Sequence, residues 1–400
     1  MNRTRSIFAI AALAALVALA APAMAGPQMT FGPEDQGTLQ IDVKSQFQMT
    51  MKDTDSEGDD VDSIMNFNFR RNRLAFMGAW GEKLSVYAQT EYVEDVNLGL
   101  FGLADADQGS NFQMLDAVAR IKLSDGFRMN VGKFKYNLSR ENLEACEAPL
   151  SLDRSLFIRT PFTSTRDMGV AVWGNLAEGK VQYRLDAMEG RKALSTSAMP
   201  KSSFRYSARA HLSLWDSETE YGYKGSYLGA KKVFTLGAAV QTEPEVVYED
   251  AVAKTGKLDY NAYTVDMFYE RPIQETGAIT LSAAYENIDF DDAYMGMNPD
   301  PGTCGLNGQK NGWYAKAGYL LQTQPLQFFA RYESWKFALL NNVYNQKLDW
   351  FSVGANYFMM DNVLKLTVEY SGLSFDETGD IDGLVTNDTG TLITQLQLVF

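Results

Sequence analysis

Few residues in this 400-residue chain are equipped for bond-making chemistry. The single histidine, His211, shares a strand face with Ser213 two positions on, the spacing of a conceivable hydrolytic pair. Catalysis on serine needs a base that is itself held in place by a third group, and no motif around either residue supplies one. Cys146 and Cys304 are too few for a disulfide scaffold. Both fall in segments that read as long connections, so they either pair with each other or stand as separate thiols. The run Asp376-Glu377-Thr378-Gly379-Asp380 lacks calcium-loop spacing. No glycine-rich phosphate loop and no CxxC occurs. Catalytic residues: none; metal site: none; cofactor: none.

What the chain carries in quantity is charge. Lys and Arg number 36 against 50 Asp and Glu, a net −14, which argues against nucleic acid as a partner. Many of these charges sit at every second position of a segment: Asp42, Lys44, Arg120, Lys122, Arg128, Arg184, Asp186, Arg205, Arg209, Asp266, Glu286, Arg331, Glu333, Lys365 and Glu369. Left unpaired in a dry core, each would carry a desolvation cost of roughly several kcal/mol. The pattern therefore predicts water on that face.

The elements that hold these groups are strands. Leu39, Ile41, Val43, Ser45, Phe47, Met49 and Met51 alternate with Gln40, Asp42, Lys44, Gln46, Gln48 and Thr50. Phe204, Tyr206, Ala208, Ala210, Leu212 and Leu214 alternate likewise with Arg205, Ser207, Arg209, His211 and Ser213. Similar segments occupy 180–187, 263–269, 279–285, 326–332 and 364–370, and Leu392, Thr394, Leu396, Leu398 and Phe400 close the chain. Period-two alternation of this kind separates an apolar surround from a wet interior.

Export is written at the N-terminus. Arg3 and Arg5 precede an uncharged run from Ile7 to Ala21, and Ala23-Met24-Ala25 is a small-x-small cleavage site. Residues 1–25 are expected to be a signal peptide cleaved after Ala25. No later segment reaches the ~20 apolar residues of a membrane-spanning helix. The fold class expected is all-β: a transmembrane antiparallel barrel in the bacterial outer membrane, with lipid and lipopolysaccharide around it. A short periplasmic segment, 26–37, leads into a barrel over 38–400.

Sixteen strands are counted, near 38–51, 64–78, 83–94, 112–123, 127–133, 167–176, 180–188, 203–215, 226–241, 260–270, 278–288, 312–321, 326–334, 347–358, 363–371 and 391–400. Soft boundaries leave 14 to 18 open, and an even number puts both termini in the periplasm. A bulge or a short outward polar stretch is expected near Arg70–Arg73, where the apolar parity switches. Short turns alternate with long connections, including Thr242–Asp259, unlike a soluble sandwich. Asp216–Lys224 is longer than a periplasmic turn should be. Sixteen strands enclose an aqueous channel, where eight would be filled by side chains.

The third long connection, Phe134–Thr165, carries Arg140, Arg154, Arg159 and Arg166 beside Glu141, Glu144, Glu147, Asp153 and Asp167. In 16-stranded porins the connection at this position folds into the lumen and sets a charged constriction. The alternative is a solvated outer loop whose charges pair among themselves. The terminal Phe400 resembles the signal read by the barrel-assembly machinery.

A family resemblance rests on Phe69-Arg70-Arg71-Asn72-Arg73-Leu74-Ala75-Phe76-Met77-Gly78, Tyr87-Ala88-Gln89-Thr90-Glu91, Val131-Gly132-Lys133-Phe134-Lys135 and Arg166-Asp167-Met168-Gly169-Val170. These runs resemble the phosphate-selective porin O/P family, clearest over residues 65–175. The resemblance implies a homotrimer passing small anions or other small polar solutes along a basic path. Its candidates are Arg73, Arg120, Lys122, Arg128, Lys133, Lys135, Arg140, Arg159, Arg184, Arg205 and Arg209. Asp266, Glu286, Glu333 and Glu369 line the second half, so the sign at the constriction decides selectivity. A non-conducting barrel acting as adhesin or tether is the alternative function.

Overall fold

A computed structural model describes residues 26–53, 63–92, 112–156, 165–191, 199–200, 203–274, 276–339, 343–381 and 384–400. The expected leader and Arg159 lie outside the described residues. The strands are β1 (Gln28–Phe31), β2 (Gly37–Asp53), β3 (Ser63–Trp80), β4 (Leu84–Tyr92), β5 (Phe112–Lys122), β6 (Arg128–Lys135), β7 (Arg166–Leu176), β8 (Val181–Met188), β9 (Arg205–Ser213) and β10 (Val233–Asp250). They continue as β11 (Thr255–Ile273), β12 (Gly277–Asp289), β13 (Lys310–Leu321), β14 (Leu326–Leu339), β15 (Val343–Met360), β16 (Leu364–Phe375), β17 (Gly379–Ile381), β18 (Leu384–Thr386) and β19 (Thr389–Val399).

Strands β2 to β16 and β19 make a closed 16-stranded antiparallel barrel, each paired with its chain neighbours. Closure is made by β19 on β2, in register from Gly390↔Asp53 to Val399↔Lys44. Beyond that point Val43 and Phe400 exchange backbone hydrogen bonds of 2.6 and 2.9 Å. From Gln40 outward β1 takes over the same edge of β2. The seam thus leaves little edge free to pair with another chain.

Alternation sorts the side chains as the sequence predicts. Val86, Leu185, Val240, Val265, Phe328 and Val353 are exposed on the outer wall. Their inward neighbours Gln89, Arg184, Gln241, Asp266, Gln327 and Ser352 are buried. Among the described residues no helix is long and apolar enough to cross a membrane.

The expected bulge is present. Gln46 pairs with Arg71 and Phe47 with Phe69, so Arg70 is the extra residue. A bulge restores outward parity to Phe67 and Phe69 after the run that faces inward with Arg71 and Arg73. Other boundaries differ. Thr242–Asp259 is not an open loop: β10 and β11 run through it, past a register break between Glu243 and Val247, to a tight turn at 251–254. Their edge-to-edge pairing satisfies backbone groups that polarity alone assigned to a loop. The sequence also gave no sign of β1 or of the small β17–β18 hairpin.

Tight turns cap one end of the barrel, at 81–83, 123–127, 177–180, 322–325 and 361–363. At 177–179 the chain turns through left-handed Ala177, Glu178 and Gly179 (φ 49°, 57° and 83°). The start of β2 and the end of β19 lie at this same end, with one long connection between β9 and β10.

Candidate functional site

The connection after β6 runs inside the barrel. Tyr136, Asn137, Leu138, Ser139, Arg140, Glu141, Asn142, Leu143 and Glu144 are all buried. It contains one helical turn, α1 (Arg140–Leu143), whose N-cap Ser139 Oγ accepts from Asn142 N–H at 3.0 Å. The strand walls then hold it at intervals. Asp186 on β8 accepts from Asn137 N–H (2.9 Å), and Thr264 on β11 donates to Leu138 O (2.6 Å). Lys316 on β13 reaches Glu141 at 2.6 Å, and Asn356 on β15 donates to Leu150 O at 2.8 Å. Glu369 on β16 and Glu333 on β14 accept the N–H groups of Leu152 and Leu156, both at 2.9 Å.

Gly318 on β13 makes room for this loop, because a Cβ there would stand 2.5 Å from Leu150 Cδ1. Gly318→Val is expected to cost about 1–3 kcal/mol by overpacking and to displace the loop. Wild-type unfolding midpoints and conductance in that variant would contradict this.

A second segment enters from the opposite end. The connection expected over Asp216–Lys224 spans 214–232, because the next strand starts at Val233 and not near 226; it folds back into the lumen and meets the first. Ala145 N–H donates to Tyr223 O (2.9 Å), Tyr223 N–H to Leu143 O (3.3 Å), and Gly225 N–H to Ala148 O (2.8 Å). Arg140 grips Glu218 through both terminal nitrogens at 2.8 and 2.7 Å. Aromatic rings secure the segment further. Arg184 lies 4.8 Å from the Tyr221 ring centre and 4.7 Å from that of Tyr223. Arg140 lies 4.5 Å from Tyr223 and 3.8 Å from Phe268, so guanidinium and ring alternate. His211 Nδ1 is 2.6 Å from Tyr223 Oη, while Ser213 faces Thr235, so the two do not form a hydrolytic pair.

The lumen is therefore divided. On the β9 to β16 side run the pairs Arg205–Glu243, Arg209–Asp266, Lys310–Glu286, Lys316–Glu141, Arg331–Glu333 and Arg331–Glu369, and none of these side chains is more than 3% exposed. Gly237 lets Arg209 cross to Asp266, since a Cβ there would lie 2.6 Å from both side chains. The charges that imply water in the sequence are here buried facing opposite charges. Buried charge is tolerable when so matched.

On the β2–β3 side two ion pairs touch solvent and the rest are buried. Lys44 and Glu147, 2.8 Å apart, are 16% and 28% exposed. Arg70 and Asp153, 2.9 Å apart, are 34% and 22% exposed, and Arg71 bonds the same carboxylate at 3.0 Å. Arg73 pairs with Glu91 (2.7 Å) and Arg166 with Asp116 (3.0 Å). Lys135 donates to Glu144 O (2.6 Å), and Arg154 to Asn142 O (3.4 Å).

The expected site residues distribute accordingly. Arg73, Lys135, Arg154 and Arg166 gather around the exposed side of the loop. Arg140, Arg184, Arg205, Arg209 and Glu333 are locked in the dry half. Arg120 lies over the Tyr87 ring (5.2 Å), while Lys122 and Arg128 share Asp125 at the short-turn end, away from the loop. Lys133 does not line the lumen: it shares the outward parity of Val131 and donates to Met114 O, because β6 holds its register where Asn130 faces in. Cys146 and Cys304 are not joined in a disulfide, since the loop carries Cys146 into the lumen. Lys44, Arg70, Arg71, Lys316 and Glu218 were absent from the expected constriction. In the sequence Lys44 shows as inward by alternation, Arg70 and Arg71 by the bulge, and Glu218 by the overlong turn, while Lys316 has no such signal.

Burial raises the carboxyls of Glu147 and Asp153, but Lys44 brings Glu147 down to about 2, and Arg71 and Arg70 bring Asp153 well below its usual range. Glu144 behaves oppositely. Burial, then the neighbouring Glu141, pushes it up to about 8, so it is neutral at pH 7. Its folded value exceeds its ordinary one, so its contribution to stability is full below about pH 4.5 and lost as pH rises through 8. Raising pH from about 7 to 9 is expected to place a negative charge in the lumen and lower anion permeability. Glu144→Gln should abolish that dependence, and an unchanged pH profile in this variant would contradict the assignment.

Comparison with solved structures gives the same architecture at low identity. An anion-selective porin from Comamonas acidovorans aligns with TM-score 0.58 and 9% identity, over 91% of this chain and 100% of that one. The outer membrane channel DcaP of Acinetobacter baumannii aligns with TM-score 0.57 and 13% identity, over 94% and 100%. Salmonella typhi OmpF in complex with daunomycin gives 0.59 and 13%, over 93% and 100%. None of the curated proteins matches the chain. The profile of the family described as phosphate-selective porin O and P matches residues 41–400. A closed 16-stranded barrel, a loop folded into its lumen and a profile spanning the whole barrel show together that the chain belongs to the phosphate-selective porin O and P family, outer-membrane channels for small solutes.

Proposed function

We propose that the chain conducts small hydrophilic anions passively through the lumen and takes no part in catalysis. The observation that carries this is the composition of the β2–β3 side of the third loop, where Lys44, Arg70, Glu147 and Asp153 reach solvent. There Lys44, Arg70, Arg71, Arg73, Lys135, Arg154 and Arg166 outnumber Glu91, Asp116, Glu147 and Asp153. A narrow passage passes the ion opposite to its fixed charge, whatever the protein's net charge. The exposed apolar wall faces lipid, the short-turn end and both termini face the periplasm, and the long connections meet lipopolysaccharide. The barrel works as a homotrimer, as the family resemblance implies, and Phe400 presents the terminal aromatic to the assembly machinery. Residues 1–25 are removed after Ala25.

An inert barrel used as adhesin or tether is the competing function. Purified protein in planar bilayers is expected to give discrete conductance steps carried by chloride and phosphate. A folded barrel that stays electrically silent would establish the competitor.

A further inference from the structure

We infer that the 214–232 connection is a periplasmic plug that closes one half of the lumen, leaving solute only the crescent between the third loop and strands β2 to β5. This rests on the porin reading and deepens it by naming the path and what bounds it. Three independent observations place the plug. Backbone hydrogen bonds join it to the third loop at Leu143, Ala145 and Ala148, making one body of two chain segments. Arg140 and Glu218, 0% and 2% exposed, tie the segments with a bidentate ion pair. Tyr221 and Tyr223 fix the plug to the wall by stacking on Arg184, and Asn175 on β7 donates to Thr219 O at 2.9 Å.

The consequence is seen in exposure. Charges flanking this body on β9 to β14 are buried and face opposite charges. The most exposed charges at the third loop are Lys44, Arg70, Glu147 and Asp153, all on its far side. A hydrated ion needs water or a substitute for its shell at every point along a path. Paired side chains without solvent contact offer neither, so the path runs where the exposed charges stand.

Thiol labelling in the assembled barrel tests this directly. In a Cys146→Ser, Cys304→Ser background, Lys44→Cys and Ser282→Cys place single thiols in the crescent and in the closed half. Ser282 is buried beside Tyr314, 3.2 Å from its hydroxyl. A charged methanethiosulfonate reagent is expected to modify Lys44→Cys at least about tenfold faster and to reduce current only there. Equal labelling of both positions overturns the plug. As a second measurement, Ser217–Lys224 is replaced by a short Gly-Ser-Gly turn together with Arg140→Gln. Conductance is expected to rise at least about twofold as the cross-section opens, and an unchanged conductance in a folded variant overturns the inference. If that variant does not fold, the labelling contrast decides. If the two variants label as expected while the wild-type barrel carries no current, the porin reading fails and the plug stands.

Discussion

Replacing Arg70 and Arg71 together by glutamine is expected to reduce anion-over-cation permeability by at least roughly fivefold. The two side chains converge on Asp153, Arg70 through Nε and Nη2 at 3.1 and 2.9 Å, Arg71 through Nη2 at 3.0 Å. Removing them deletes two cations from the crescent and leaves Asp153 without its principal partners. Two unit charges several ångströms apart interact by a few kcal/mol at protein-like dielectric, and salt screening trims this to about 1 kcal/mol, or roughly fivefold. The arrangement depends on the bulge, which lets two consecutive arginines serve one carboxylate. Permeability ratios from reversal potentials in the variant provide the check, and a ratio within about twofold of wild type would show that this cluster does not govern passage.

The second large effect concerns stability. Arg140→Ala should lower barrel stability by about 3–5 kcal/mol, because it strands the Glu218 carboxylate in a dry site. Burial alone would raise Glu218, but Arg140 overrides it and brings the carboxyl to about 2. A depressed carboxyl adds stability that is complete above its ordinary value of about 4.5 and disappears as pH falls toward 2. Wild type should therefore lose stability over that acid range, and Arg140→Ala should not share the loss. Adding Glu218→Gln should recover part of the deficit, since the stranded charge is then gone. Urea unfolding in detergent across that pH range separates these outcomes. A single variant as stable as wild type at pH 7 would remove the latch from the account.

Most of the wall was legible in the sequence because one physical rule writes it. Residues alternating between an apolar surround and a polar lumen must repeat every two positions, and Leu39 to Met51 or Phe204 to Leu214 have no other regular solution. Even the irregularity near Arg70 showed as a change of parity. The lumen was less legible, for a reason equally physical. Ion pairs such as Arg209–Asp266 and Lys316–Glu141 join residues 57 and 175 positions apart. No local pattern reports whether an inward charge meets water or a partner. Lys133 failed through parity: it sits one position off the inward register of β6, where a basic residue in a resembling motif was read as lumenal. The 214–232 connection announced itself only by length, and what it does follows from where Tyr221, Tyr223 and Glu218 find their partners.

The central claim is that fixed cations lining a narrow crescent, and not the acidic character of the whole chain, set the sign of what passes. Zero-current potential across a bilayer holding the protein in a tenfold potassium chloride gradient tests it most directly. A potential of chloride's sign that weakens when phosphate is added as a competing anion is expected. A potential of potassium's sign, unaffected by phosphate, would contradict it.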